Sequence, residues 1–225
     1  MMAAIENKNI VIKVNSGEEE LGDPNSSIWS KLPEIDLPMI PAPLKGNPGI
    51  KRISPFIEKS TDHGTIKRLK VKAAHNGNSV AFLMRWENKQ NDKIVDLDDF
   101  VDGAAIMFPL TPKASAITMG SPTDPVNAWY WKANIDSLAF DVVAEGYGTS
   151  GRSTPPSHPI NCAATYEKEH WHLVLMRNLT GEPGKIQFHP GQQTRFAFAL
   201  WDGQNKERSG RKSFSGDFIT GLLQP

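Results

Sequence analysis

Only one cysteine, Cys162, occurs in 225 residues. That count excludes an intrachain disulfide, a thiolate zinc site and the two-cysteine attachment of a c-type haem. Iron–sulfur clusters, which are held by sets of cysteine thiolates, are excluded from this chain as well. No stretch approaches the roughly twenty apolar residues that a membrane-spanning helix requires. The opening MMAAIENKNIVIKV has no basic segment followed by an apolar run, so no secretory signal is expected. Charge of one sign is missing too: 25 lysines and arginines balance 25 aspartates and glutamates. No overall field therefore draws the chain to nucleic acid or to a membrane. G-x-S-x-G, H-E-x-x-H and P-loop motifs are also absent.

What is present suits one sizeable domain of ordinary soluble composition. Seventeen prolines and eighteen glycines favour a loop-rich all-β chain over a helical one. Residues 1–50 carry the short apolar NIVIKV and then a run with Pro33, Pro38, Pro41 and Pro43. Those prolines disfavour helix and central strand, so this segment reads as an extended arm, with the β domain over 51–225. From Ile66 onward strands follow one another. His75-Asn76-Gly77-Asn78 is a hairpin turn between apolar runs. VNAWYWKAN alternates Trp129 and Trp131 with Tyr130 and Lys132; TRFAFALWDG sets Phe196, Phe198 and Leu200 against Ala197, Ala199 and Trp201. HWHLVLMRN places Trp171, Leu173 and Leu175 on one face. KIVDLDDFVDG is the one segment expected to form a helix, and Gly148–Pro159 reads as a surface loop. Many short strands punctuated by turns argue a β-sandwich.

Several residues could carry chemistry, each beside a plainer reading. Asp96, Asp98, Asp99 and Asp102 could bind a hard cation, but their spacing is not that of an EF-hand, and a solvated turn is favoured. His170 and His172 share one strand face, opposite the expected core side, so a polar surface is favoured over a metal pair. His63, His75 and His189 read as polar loop residues. Met119, before Gly120, offers a soft sulfur of the kind that binds haem iron or copper, yet a methionine among aromatics is most often core. Met107 fits the core reading better still. Near the C-terminus, Lys206, Arg208, Arg211 and Lys212 cluster with glycines in WDGQNKERSGRKSFSGDF. Such a loop suits an anionic group, but on composition alone a solvated basic turn is favoured.

HGTIKRL, KIVDLDDFVDGAAIMFP, ITMGSP, PVNAWYWKA and ERSGRKSFSGDF, in that order, resemble the haem b-binding gamma subunit of ethylbenzene dehydrogenase. The resemblance spans about residues 52–218 and extends to the gamma subunits of dimethyl sulfide dehydrogenase, chlorate reductase and selenate reductase. It implies an all-β, immunoglobulin-like β-sandwich resembling the cytochrome domain of cellobiose dehydrogenase, with few short helices and one haem b. It implies axial ligation by a methionine and a lysine, which fall on Met119 and Lys212, with Lys132 as the fallback. Trp129, Tyr130 and Trp131 are expected to wall the macrocycle, and Arg208 or Arg211 to meet a propionate.

The same resemblance implies a non-catalytic electron-transfer subunit in a molybdenum complex. Its partners would be a molybdopterin-containing catalytic subunit, an iron–sulfur subunit and an external electron carrier. It implies the periplasm, reached by co-export with a twin-arginine-tagged partner, with a cytoplasmic complex as the alternative. A rival reading from a different class is a carbohydrate-binding sandwich that uses Trp129, Trp131 and Trp171 as a stacking platform.

Overall fold

The computed structural model describes residues 9–97, 100–135, 137–152 and 159–225. In chain order the elements begin with β1 (Asn9–Lys13), α1 (Glu18–Gly22), a 3-10 helix (Ser27–Lys31), β2 (Ile35–Pro38), β3 (Ile40–Pro41), α2 (Pro48–Ile53) and α3 (Pro55–Glu58). Then come β4 (Arg68–His75), β5 (Ser79–Glu87), β6 (Gly103–Pro109), β7 (Val126–Lys132), β8 (Leu138–Ala144) and β9 (Gly151–Arg152). The chain ends with β10 (Ile160–Glu167), β11 (His170–Asn178), β12 (Gln193–Trp201), β13 (Ser213–Phe214) and β14 (Ile219–Leu223).

One sheet runs β14-β1-β4-β5-β11-β10, and the other runs β8-β7-β6-β12-β13-β3. Two strands belong to both. β12 pairs with β14 through Gln193–Phe196 and with β6 through Ala197–Trp201. β8 pairs with β7, and at Leu138 and Ala139 with β10. The two sheets are thereby joined at two places, with β2 and β3 left as edge strands.

Period-2 alternation builds the space between the sheets. Phe196, Phe198 and Leu200 of β12, Trp129 and Trp131 of β7, and Trp171, Leu173 and Leu175 of β11 all enter one buried cluster. Phe82 of β5 sits at its centre, with ring centroids 6.0 Å from Phe108, 6.0 Å from Trp129 and 5.6 Å from Phe196. Burying each such side chain stabilises the fold by about 1.5–3 kcal/mol. At one end the first sheet is covered on its outer side too, where Leu21 and Trp29 pack over Ala81, Leu83, Val174 and Met176.

Residues 35–41 are extended, as their prolines require. β2 pairs only with β4 and β3 only with β13, and edge positions are where proline is tolerated. β1, which has no proline, lies between β4 and β14. The short helices avoid the proline run or start with proline: α2 and α3 carry it in their first turn, where no intrahelical N–H is lost.

Two expectations are corrected. Described residues of KIVDLDDFVDG form no helix; the chain there is held open by Asp102, which is fully buried. Its carboxylate accepts from Trp171 Nε1 at 2.9 Å, Asn88 Nδ2 at 2.8 Å, and the backbone N–H groups of Gly203 at 2.9 Å and Asp92 at 3.1 Å. A helix would forfeit these four bonds. His75 is not a turn residue but the buried end of β4, with Nε2 2.7 Å from the Gln224 carbonyl oxygen; His63 is likewise buried, 2.8 Å from the Ala42 carbonyl. Asp98 and Asp99 of the acidic run, and positions 153–158 of the 148–159 loop, lie outside the described residues. No helix among the described residues is long and apolar enough to cross a membrane.

Burial raises the Asp102 carboxyl to about 6, while its hydrogen bonds oppose that shift. Asp102→Asn replaces one accepting oxygen by an NH2 that faces existing donors. The variant is expected to lose about 3 kcal/mol at neutral pH, read as a lower urea midpoint with an unchanged slope.

Candidate functional site

The alternation that sends Trp129 and Phe198 inward sends their neighbours outward, and the outward face of the second sheet is not polar. Ala105 of β6, Ala128 of β7, and Ala197 and Ala199 of β12 make a flat floor under a cavity of about 370 Å³. Met107, Tyr130 and Trp201 flank it. A solvent-facing strand surface would carry polar residues at these positions. Small apolar side chains there leave room for a flat ligand. Two small buried clusters bracket the cavity, one around Val126 and Val142, the other around Leu44 and Phe214.

The roof is α2 and α3, contributing Ile50, Ile53, Ser54 and Ile57, together with Tyr147, Gly148 and Ser150. Roof and wall touch closely. A Cβ on Gly148 would stand 2.6 Å from Ile53 Cδ1, so only glycine permits that contact.

Met119 and Lys212 meet inside the cavity, with Lys212 Nζ 3.7 Å from Met119 Sδ. Each arrives on a loop fixed in an unusual conformation. Met119 has φ +57° and Gly120 φ +82°, two left-handed residues that reverse the chain tightly. Gly120 is irreplaceable by geometry, since a Cβ would lie 2.8 Å from the Ala144 carbonyl oxygen. Gly146 N–H donates to the Met119 carbonyl at 2.9 Å and fastens this loop to the end of β8.

The Lys212 loop turns through left-handed Lys206 and Ser209. The buried Glu207 carboxylate anchors it, accepting from the N–H groups of Gly64 at 2.6 Å, Thr65 at 3.2 Å and Asp202 at 3.2 Å. Trp201 Nε1 donates to the Ser209 carbonyl at 3.0 Å, and the Lys212 carbonyl accepts from Ala42 N–H at 3.0 Å.

Lys212 is 5% exposed, and among the described residues no carboxylate forms an ion pair with it. Its ammonium lies 5.2 Å from the centre of the Trp201 ring, its one cationic interaction of that kind. Burial alone pushes its pKa down from 10.5 to about 8. A neutral amine is thus within easy reach, and beside a thioether it makes a two-donor set suited to a transition metal.

Other expected site residues are distributed unevenly. Lys132 and Arg208 line the cavity, and Arg208 Cζ stacks 4.3 Å over the Phe100 ring. Arg211 is not among the lining residues; it is buried beside the loop and pairs with Asp62 at 3.0 Å. Trp129 and Trp131 face the core, 0% and 1% exposed, and do not line the cavity. Their strand neighbour Tyr130 takes the wall position, because it has the opposite parity on β7. With Trp171 also 1% exposed, no tryptophan platform is open to a sugar. His170 and His172 are half-buried on the outer face of β11, and the metal-capable group of three or more among the described residues is Asp92, Asp102 and Asp202, which contains neither. Tyr130 was among the aromatics expected at the wall, whereas Trp201, Glu207 and the alanine floor escaped sequence reasoning. Their signal was alanine at outward positions of three strands.

Comparison with known proteins adds the following. The family model for ethylbenzene dehydrogenase matches residues 26–158 and 157–213. A protein of Haloferax mediterranei named as a respiratory nitrate reductase heme subunit is 29% identical over 218 residues, covering 96% of this chain and 73% of that one. The chlorate reductase subunit gamma of Ideonella dechloratans is 30% identical over 207 residues, covering 90% of this chain and 79% of that one. Among solved structures, a family 9 carbohydrate binding module from Caldicellulosiruptor kristjanssonii in complex with glucose aligns with a TM-score of 0.51 over 96% of each chain. At 10% identity that likeness concerns the sandwich fold alone.

The buried amine gives a signed pH dependence. Between about 8 and 10.5 the unfolded chain binds more protons at Lys212 than the folded one, so stability rises with pH across that window. Below it the full penalty applies, about 3 kcal/mol. In metal-free protein, Lys212→Met is expected to raise the urea midpoint at pH 7 and to flatten the rise between pH 8 and 10.5.

Proposed function

The chain belongs to the ethylbenzene dehydrogenase family, and from that premise we propose that it is the haem b-carrying electron-transfer subunit of a molybdenum oxidoreductase complex. One observation carries the reading: a lysine buried without a carboxylate touches a methionine sulfur above an apolar, alanine-floored cavity.

The residues present fit the group. Met119 and Lys212 supply one thioether and one amine; Ala105, Ala128, Ala197 and Ala199 leave a flat surface for a macrocycle; Lys132 and Arg208 place cations at the cavity wall for carboxylate substituents. Bound haem b supplies a one-electron ferric–ferrous couple. Lys212 ligates only as the free amine, and the desolvation that lowers its proton affinity favours that form. With Met119 and Lys212 both holding the iron, dioxygen and substrate would find no open position, which would suit electron transfer. The thioether of Met119 favours the reduced state and raises the potential. The roof of α2 and α3 limits water at the site.

Catalysis is proposed for a molybdopterin-containing partner, and clusters for an iron–sulfur partner, since a single cysteine cannot hold them. The related chlorate reductase chain is itself named a gamma subunit, which supports an assembly of this kind. We place the complex in the periplasm, with this chain exported alongside a twin-arginine-tagged partner. Determining the N-terminal sequences of all subunits in the native complex checks this: a processed twin-arginine leader on the catalytic subunit is expected.

Protein reconstituted with haem b is expected to show a Soret band at one haem per chain. Met119→Ala and Lys212→Ala should each shift the reduced spectrum, while Lys132→Ala should leave it unchanged. Ala199→Phe, which fills the floor, should cut haem uptake at least about tenfold while the protein still unfolds cooperatively. Wild-type spectra from both ligand variants would sink the axial assignment.

A further inference from the structure

The cavity roof has an outer surface unlike the rest of the chain. Over residues 45–59 it exposes four cations, Lys45, Lys51, Arg52 and Lys59, against one acid, Glu58. That acid is engaged at the base of the roof, its Oε1 accepting from Gly46 N–H at 2.7 Å. The whole chain has no net charge, so this is a local concentration rather than a share of a general excess.

The same segment exposes two apolar side chains, Phe56 at 70% and Ile53 at 48%. A third, Ile117, belongs to the loop of Met119 and adjoins the roof, its carbonyl accepting from Tyr147 Oη at 2.8 Å. Ile53 packs on Gly148, and a Cβ on Gly49 would stand 3.6 Å from Tyr147 Cβ. Ile53 and the loop of Ile117 thus both adjoin Tyr147 and Gly148, and Phe56 is exposed on α3. An apolar centre with a charged rim is how docking surfaces are built.

Position adds a functional constraint. From the cavity floor outward a route must cross both sheets, which are stacked about 10 Å apart. Through the roof there is a single layer of two short helices. A protein seated on the roof has the shortest approach to whatever the cavity holds.

We infer that the outer face of α2 and α3 is the docking surface for an acidic one-electron carrier protein, with Phe56 and Ile53 as its apolar centre. This rests on the haem reading for its purpose but not for its contact. Charge complementarity selects a partner with carboxylates around a small apolar spot and speeds encounter at low salt. The small apolar centre fits a transient carrier better than a permanent subunit, whose interface would be larger and more hydrophobic.

Two measurements test it with a plant-type ferredoxin as the acidic probe and a basic c-type cytochrome as the counter-probe. Amine footprinting of the full chain should show Lys45, Lys51 and Lys59 protected by the ferredoxin, with Lys31 and Lys89 unaffected, and no protection by the basic protein. In haem-loaded protein, reduced ferredoxin passes one electron to the ferric haem. The rate should fall on the order of tenfold from low to physiological salt. It should fall similarly in Lys51→Glu/Arg52→Glu and in Phe56→Ser, while reduction by a small neutral reductant stays unchanged.

Protection of the roof lysines in a chain that takes up no haem would uphold the docking face and refute the haem reading. Haem uptake with no selective protection and rates insensitive to the roof variants would overturn the docking face alone.

Discussion

An ammonium group shut away from water with no carboxylate opposite is a standing cost to a folded chain, and Lys212 is such a group. Proteins retain arrangements of this kind where the charge is discharged or the nitrogen is used. The surroundings of Lys212 are built around that nitrogen. Glu207 anchors its loop, Trp201 lies beneath it, Ala42 holds its carbonyl, and Met119 turns through a strained backbone to reach it. Each of these features is hard to justify by stability alone. Together they describe a site that accepts a penalty in the bare chain, one that the proposed ligation of a metal by the amine would relieve.

The sandwich makes such a site cheaply. Its inward face is a dense aromatic core whose rigidity fixes strands β6, β7 and β12 side by side. The outward face of those three strands inherits that rigidity without needing bulk of its own. Alanines there hold space open, and the arm and the two short helices cover it from outside. The site is thus made by two parts of the chain far apart in sequence: rigid strands below, loops and short helices above.

Much of this was legible in particular residues. The hairpin at Asn76-Gly77, the inward parity of Trp171, Leu173 and Leu175, and the opposed faces of β12 follow from alternation and turn chemistry. The tryptophans of β7 show where such reasoning failed. Their alternation with Tyr130 was read correctly, but all three aromatics were assigned to the ligand wall, because bulk suggested a wall and alanine suggested nothing; only Tyr130 takes that place. Asp102 misled in a different way. Its acidic neighbours looked like a solvated helical turn, whereas its carboxylate is the buried hub of four hydrogen bonds from remote segments. Local sequence holds no signal for partners such as Trp171 and Gly203.

By itself the sequence determined the all-β class, the strand periodicity, the lack of cysteine-held clusters and the family, because these depend on composition, spacing and order along the chain. Only the tertiary structure decided that Met119 and Lys212 touch, that Lys212 has no carboxylate partner among the described residues, and that the alanine faces of three strands share one floor. Those facts depend on through-space distance and on exclusion of water. Both arise when segments separated by some ninety residues are packed against each other.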